Sequence, residues 1–162
     1  MKIAALHNDD VNIASVRLRS IYLFDYIIDK NIKIYRNINF LKLFTCDIIH
    51  LHMMYKPIDI LKSITLRCFN KKIIFDVDDI PSKFFYKFFF IVMMNLSSKI
   101  TCDNDSRKDY LKKFIIFKNK ILIIRDIIDL KPNNYDKIKF KKLTYNNSFF
   151  WTGHEDNYKS IE

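Results

Sequence analysis

Short apolar runs alternate with helical hydrophobic patterns along most of the chain. Runs typical of buried strands occur at 2–6, 32–35, 47–52, 72–76, 99–102 and 121–124. Apolar residues with helical spacing occupy 14–30, 57–70, 82–98 and 105–117. Strands that alternate with helices in this way predict an α/β fold, a Rossmann-like parallel sheet with helices on both faces.

Local signals mark the ends of several of these elements. Pro57 opens a helix, because a proline in the first turn loses no helical hydrogen bond. Asn12 is a predicted N-cap, and either Asn104 or Asp105 is predicted to cap the helix at 105–117, since Asn and Asp side chains accept hydrogen bonds from the first helical N–H groups. Pro81 separates the fourth strand from the helix that follows it.

The pattern changes after Ile128. Residues 131–147 are polar and basic and contain Pro132, so they are predicted to be a linker. Residues 148–162 contain a strand-like run, a glycine turn and the start of a helix, and this is too little structure to bury itself. The predicted organisation is therefore a domain at 1–130, the linker, and the start of a second domain at 148–162.

Composition excludes several kinds of site. Gly153 is the chain's only glycine, so neither a P-loop nor the dinucleotide fingerprint G-x-G-x-x-G is present. The three cysteines, Cys46, Cys68 and Cys102, have no C-x-x-C spacing, which disfavours a zinc site or a disulfide framework. They are expected to be buried free thiols in a reducing cytoplasm.

The charge of the chain indicates anionic partners. The formal net charge is +10, which suits phosphorylated ligands or an anionic membrane surface. No recognised nucleic-acid module is present, so a nucleic-acid partner is not expected. The apolar segment 84–96 is too short to span a bilayer. A buried helix is favoured there, and a helix lying in a membrane interface is the alternative.

Polar residues gather at the predicted carboxyl ends of the strands, where ligands bind in open parallel sheets. They are His7, Asn8, Asp9, Asp10, His52, Asp76, Asp78, Asp79, Asp103, Asn104, Arg125 and Asp126. Ordinary loop composition accounts for part of this pattern. His7 and His52 are candidate acid–base groups, because histidine titrates near neutral pH.

The stretch "IIFDVDDIP" has three interpretations. A phosphatase nucleophile in a D-x-D-x-T motif is disfavoured, because Ile80 stands where the threonine should be. A divalent cation held by the carboxylates remains open. In the third interpretation, the carboxylates line a cleft and accept hydrogen bonds from sugar hydroxyls. Asp76 would then cap the turn, while Asp78 and Asp79 would contact the ligand.

Two arginines on the first helix stand two positions apart and so point to different sides. Arg17 is favoured to face the cleft, and Arg19 is expected to be solvated.

Four stretches resemble the N-terminal domain of bacterial family 4 glycosyltransferases of GT-B architecture. They are "ASVRLRSIYLFDYI", "KIIFDVDDIP", "KITCDNDSRKDYL" and "FFWTGHEDNYKSIE". The resemblance implies transfer of a sugar from a nucleotide-sugar to a glycan or lipid-linked acceptor, with no bound metal or cofactor. It implies acceptor binding by Asp78, Asp79, Arg17, Asn8 and Asp103. It also implies binding of the donor phosphates by Gly153, His154 and Asn157.

The chain departs from that family in two respects. The paired-glutamate motif of the C-terminal domain is absent, and "HNDDVNIAS" replaces the glycine-rich first loop. The chain is therefore expected to be inactive alone. It is interpreted as a fragment, as the product of a split or decayed gene, or as half of a two-chain enzyme. The expected location is the cytoplasm, with peripheral attachment to the inner face of the plasma membrane. The alternative function is a non-catalytic basic module that binds an anionic membrane surface.

Overall fold

Six strands form the sheet in the computed structural model, which describes residues 1–7, 14–22, 24 and 31–124. The strands are β1 Lys2–His7, β2 Lys33–Arg36, β3 Ile48–His52, β4 Lys72–Asp76, β5 Lys99–Cys102 and β6 Ile121–Ile123. All neighbouring pairs are parallel, in the order β2-β1-β3-β4-β5-β6. The predicted Rossmann-like α/β fold is confirmed.

Helical segments connect the strands. They are α1 Ala14–Val16, which continues as a π-helical segment at Arg17–Tyr22, α2 Phe40–Leu43, α3 Pro57–Cys68, α4 Phe84–Leu96, α5 Asp105–Leu111 and a 3-10 turn at Lys118–Lys120. Pro57 begins α3, and the Asn104 side chain caps α5 by accepting a hydrogen bond from the Arg107 N–H. The predicted N-cap Asn12, the linker and residues 148–162 lie outside the described residues.

Helix α5 is shorter than the hydrophobic pattern predicts. It ends at Leu111 instead of continuing to residue 117. The Asn95 side chain accepts a hydrogen bond from the Ile116 N–H at 3.1 Å and donates one to the Phe114 carbonyl at 3.1 Å. These bonds satisfy backbone groups that a longer helix would have paired internally, so a tertiary contact overrides the helical pattern.

Apolar residues alternate between the two faces of the sheet, as the two-residue repeat of a strand requires. The larger core cluster lies on one face, where Ala4, Ile49 and Phe75 pack with residues of α2 to α5. The smaller cluster lies on the other face and contains Ile3, Ala5 and Phe24. The sheet is therefore covered on both faces, as parallel sheets usually are.

The direction in which the strands are added reverses next to β1. The chain passes from β1 to β2 on one side and then returns to place β3 on the other side. A reversal of this kind opens a crevice beyond the carboxyl ends of the two strands that flank it, and ligands of open α/β sheets bind there. His7 ends β1 and His52 ends β3.

The cysteine prediction is partly wrong. Cys46 and Cys102 are buried, but Cys68 is exposed. Cys68 is the last residue of α3, where the helix leaves the core.

We expect iodoacetamide to alkylate Cys68 in the folded protein while Cys46 and Cys102 remain protected by burial. Burial also raises the pKa of the Cys102 thiol, which further lowers its thiolate fraction. Peptide mass spectrometry measures the modification at each position, and Cys68→Ser is the control. Equal alkylation of all three thiols under native conditions would contradict the assigned burial.

The expectation of a buried helix at 84–96 is also partly wrong. Phe90, Met93 and Met94 of α4 face the core, but aromatic side chains in its first turns are exposed. In the part of the chain that the structure describes, no helix is both long and apolar enough to cross a membrane.

Candidate functional site

A row of polar residues crosses the carboxyl edge of the sheet. His7 pairs in register with His52, His52 pairs with Asp76, and Asp76 pairs with Thr101. These four residues stand on four neighbouring strands, β1, β3, β4 and β5. The crevice next to β1 is therefore bordered by groups that can exchange protons or hydrogen bonds with a ligand.

Asp76 is the centre of a buried ionic cluster. Its carboxylate accepts hydrogen bonds from Arg19 Nε at 2.8 Å and Arg19 Nη2 at 2.6 Å, and from His52 Nδ1 at 2.8 Å. The Thr101 hydroxyl donates a further hydrogen bond to it. Burial alone would raise the pKa of the Asp76 carboxyl, but the hydrogen bonds from His52 and Arg19 hold that pKa well below its usual range.

The contact with Asp76 fixes the protonation pattern of His52. An ionised carboxylate only accepts hydrogen bonds, so His52 Nδ1 carries the proton in this contact. When the ring is neutral, its lone pair is at Nε2. That atom is buried and has no hydrogen-bond partner in the described part of the chain. A buried acceptor without a partner costs roughly 1–3 kcal/mol, and such groups are often retained for catalysis or binding.

The prediction that Arg19 is solvated is wrong, because its side chain is buried. Its side chain is only 4 % exposed, and its Nη1 also donates to the Ile124 carbonyl at 3.4 Å. The guanidinium therefore joins the first helical segment to the ends of β4 and β6. Arg17 lies in the same π-helical segment, but its side chain is outside the described part of the structure.

A second polar cluster lies in the loops that follow β4 and β5. Arg107 forms an ion pair with Asp103, and its Nη1 is 4.0 Å from Asp78 Oδ1. Burial raises the pKa of the Asp78 carboxyl, although a hydrogen bond to Ser15 lowers it. Arg107 thus brings together two of the predicted acceptor ligands, Asp78 and Asp103, while Asp79 is exposed.

The backbone next to His52 is strained. Met53 has a φ of 51°, a left-handed conformation that is uncommon for residues other than glycine. Its N–H donates to the Asp76 carbonyl at 3.1 Å, and its sulfur accepts a hydrogen bond from the Asp78 N–H at 3.4 Å. Conformations of this kind cost about 1–3 kcal/mol and cluster at functional sites.

A cavity of about 200 Å³ lies beside His7. Apolar side chains form much of its wall, and its polar lining consists of His7, Asn37, Asp59, Lys62 and Ser63. Asn37 holds His7 in place through its side-chain oxygen, which is 3.2 Å from the His7 backbone nitrogen, and its side-chain nitrogen, which is 3.0 Å from His7 Nε2. The carboxyl edge therefore offers an apolar recess as well as polar groups.

Other predicted site residues cannot be placed. Asn8, Gly153, His154 and Asn157 lie outside the described residues. Within the described ranges, no three His, Cys, Asp or Glu side chains are grouped so that they could hold a metal ion.

The fold and its carboxyl edge define the chain as a Rossmann-like α/β domain with a buried histidine–aspartate–arginine cluster at its topological switch point. No protein-family model matches the chain, and no curated protein matches it.

Proposed function

We propose that this domain forms the acceptor side of a glycosyltransferase of GT-B architecture. The reaction would transfer a sugar from a nucleotide-sugar to a hydroxyl of a glycan or lipid-linked acceptor. The observation that carries the proposal is the His52–Asp76 pair at the switch-point edge, with His52 Nε2 buried and unpaired among the described residues. The resemblance of four stretches to family 4 enzymes supports the same reaction class.

The His52–Asp76 pair suits the activation of a hydroxyl group. An acceptor hydroxyl becomes a better nucleophile as it gives up its proton, and His52 Nε2 carries a lone pair that can take that proton. The Asp76 carboxylate then stabilises the imidazolium through Nδ1–H. Arg19 keeps Asp76 ionised and fixed in position. General-base catalysis of this kind contributes typically about 10²- to 10⁴-fold.

The second polar cluster suits recognition of the acceptor. Asp78 and Asp103 are partly exposed carboxylates, and a carboxylate accepts several hydrogen bonds from sugar hydroxyls. Arg107 holds the two carboxylates near each other. The nucleotide-sugar is a co-substrate that binds to the donor half, with Gly153, His154 and Asn157 as the proposed phosphate-binding residues.

Binding of acceptor sugars by the full chain tests the proposal. We expect soluble mono- and disaccharides to give saturation-transfer NMR signals, and Asp78→Ala to weaken the best ligand about tenfold because a charged hydrogen-bond partner is lost. We expect His52→Gln to weaken it similarly. Asp109→Ala is the matched control, since Asp109 is an exposed carboxylate on α5.

Three outcomes of this experiment count against the proposal. The first is the absence of saccharide binding, and the second is binding that Asp78→Ala leaves unchanged. The third is strict dependence on a divalent cation, seen as loss of binding on addition of a chelator, which would favour the metal interpretation of "FDVDD".

A second candidate function is that of a basic module that binds an anionic membrane surface. The exposed aromatic side chains at the start of α4 favour it. Vesicle binding without any saccharide binding would select this function over the transferase.

A further inference from the structure

The outer faces of α3 and α4 form a surface that is both apolar and cationic. The exposed fractions are 53 % for Ile58 and 61 % for Leu61 on α3, and 88 %, 62 % and 56 % for Phe84, Phe85 and Phe88 on α4. Lys56 and Lys83, the residues just before the two helices, are also exposed. We call these seven residues the α3–α4 surface. Five large exposed apolar side chains on adjoining helices are a signature of an interaction site.

The seven residues lie toward one end of the domain. Helices α3 and α4 contact each other, and each follows a strand of the sheet directly. Helices that connect parallel strands begin at the carboxyl edge and run back to the amino edge. The first turns of both helices, which carry most of the α3–α4 surface, therefore lie near the edge that holds His52 and Asp76.

The lysines of this surface stand at the N-cap positions of α3 and α4, where lysine is not a preferred residue. N-cap positions favour Ser, Thr, Asp and Asn, and the positive end of the helix dipole disfavours a cation there. Both helices nevertheless have lysine at this position, and neither lysine side chain makes a capping hydrogen bond. At the start of α3, the Asp59 side chain accepts a hydrogen bond from the Lys56 backbone N–H at 3.1 Å. The only acidic residue in either helix is Asp59, which is buried. A departure from local preference is expected mainly at functional sites.

Charge complementarity favours an anionic phospholipid surface, and not a second copy of this chain, as the partner of the α3–α4 surface. In a symmetric dimer formed through this surface, the same lysines from both copies would crowd together, and like charges in an interface are unfavourable. An anionic phospholipid surface offers phosphates to Lys56 and Lys83 and an apolar boundary region to the phenylalanines. A purely apolar partner would leave the two lysines without counter-charges.

We propose that the α3–α4 surface docks this protein on an anionic phospholipid bilayer. The phenylalanines of α4 enter the region between headgroups and acyl chains, and the lysines pair with lipid phosphates. This docking does not depend on the transferase activity proposed above. It brings the carboxyl edge of the sheet close to the membrane, where a lipid-linked ligand would reach His52 with little displacement.

Vesicle co-sedimentation of the full chain tests the docking. The vesicles are phosphatidylcholine alone, or phosphatidylcholine with a minor share of phosphatidylglycerol, each at low and high salt. We expect binding to the anionic vesicles only, and weaker binding at high salt because surface charges are screened. Phe84→Ser with Phe85→Ser should weaken the partition at least about tenfold. Lys56→Glu with Lys83→Glu should weaken it by a similar factor.

Matched controls separate this surface from the general basicity of the chain. Lys72→Glu with Lys99→Glu makes the same charge change at the opposite edge of the sheet, since these lysines are exposed first residues of β4 and β5. Ile116→Ser with Phe117→Ser removes exposed apolar side chains from another loop. Both controls should keep at least half of the wild-type partition, and every variant should unfold at the wild-type urea midpoint.

Several results would overturn the proposal. Equal binding to neutral and anionic vesicles would show that the lysines do not contribute to binding through lipid phosphates. An equal loss in the Lys72→Glu, Lys99→Glu variant would show that net charge alone drives binding. A dimer that dissociates in the Phe84→Ser, Phe85→Ser variant, together with no vesicle binding, would assign the surface to self-association. Loss of vesicle binding in the His52→Gln variant would also contradict the proposal, because His52 is not part of the α3–α4 surface.

Discussion

Replacing Asp76 by asparagine is expected to lower the free energy of unfolding by about 3–5 kcal/mol. The substitution removes the carboxylate that accepts two hydrogen bonds from the Arg19 guanidinium, a buried charge whose side chain is only 4 % exposed. Asparagine also has one acceptor oxygen, whereas Asp76 accepts from Arg19, His52 and Thr101 at both of its oxygens. Urea unfolding of the full chain at neutral pH, followed by circular dichroism, measures the change.

A second substitution separates the buried charge from the lost hydrogen bonds. Arg19→Met together with Asp76→Asn removes both ionic partners, so we expect this double variant to be more stable than Asp76→Asn alone. Asp109→Asn is the matched control at an exposed carboxylate, and it should change the free energy of unfolding by less than about 0.5 kcal/mol. A loss of less than about 1 kcal/mol in Asp76→Asn would show that Arg19 finds water or another acceptor.

The hydrophobic pattern was sufficient to predict the strands. Both faces of a parallel sheet are covered, so its strands appear as short apolar runs, and β4 and β5 have the predicted bounds. Helix α2 was not predicted, because four residues are too few to show a helical period. The end of α5 was misplaced because the side chain that terminates it, Asn95, comes from another helix. Contacts between distant residues leave no trace in a local pattern.

Part of the candidate site could also be predicted from the sequence. Parallel strands all end at one edge, so His7, His52 and Asp76 were expected to gather there. The burial of Arg19 was not expected, because regular helical spacing places Arg17 and Arg19 on different sides of a helix, whereas this segment is π-helical. Arg107 was missed entirely. Its spacing four residues after Asp103 on a short helix was the available signal.

The two faces of the sheet carry different kinds of buried residues. The face covered by α2 to α5 carries the larger apolar cluster, and the other face carries His50, His52 and the partners of Asp76 beside a small apolar cluster. A buried ion pair is weak evidence for stability, since apolar residues of the same volume often stabilise a protein as well or better. The ionic cluster is therefore better explained by the positioning of His52 than by the stability of the fold.

His50 is expected to make the protein lose about 3 kcal/mol of stability as the pH falls from 6.5 to 4. Burial lowers the pKa of His50 to about 4, and the charges of His52 and Arg19 act in the same direction while Asp76 opposes them. Between these pH values the unfolded chain binds the proton and the folded protein does not. The contribution of His50 to the free energy of unfolding is therefore fully present above pH 6.5 and is lost as the pH falls toward 4.

The His50→Leu variant isolates this effect. A leucine in contact with Phe24 has no proton to bind, so the decrease in unfolding free energy between pH 6.5 and 4 should become smaller by about 3 kcal/mol. The Asp76 carboxyl stays ionised across this interval because its pKa is lowered, and the raised pKa of Asp78 affects both proteins equally. Urea unfolding of the wild type and of His50→Leu at several pH values measures how the unfolding free energy changes with pH. If the unfolding free energy of His50→Leu changes with pH as much as that of the wild type, His50 is protonated in the folded wild-type protein, next to Asp76.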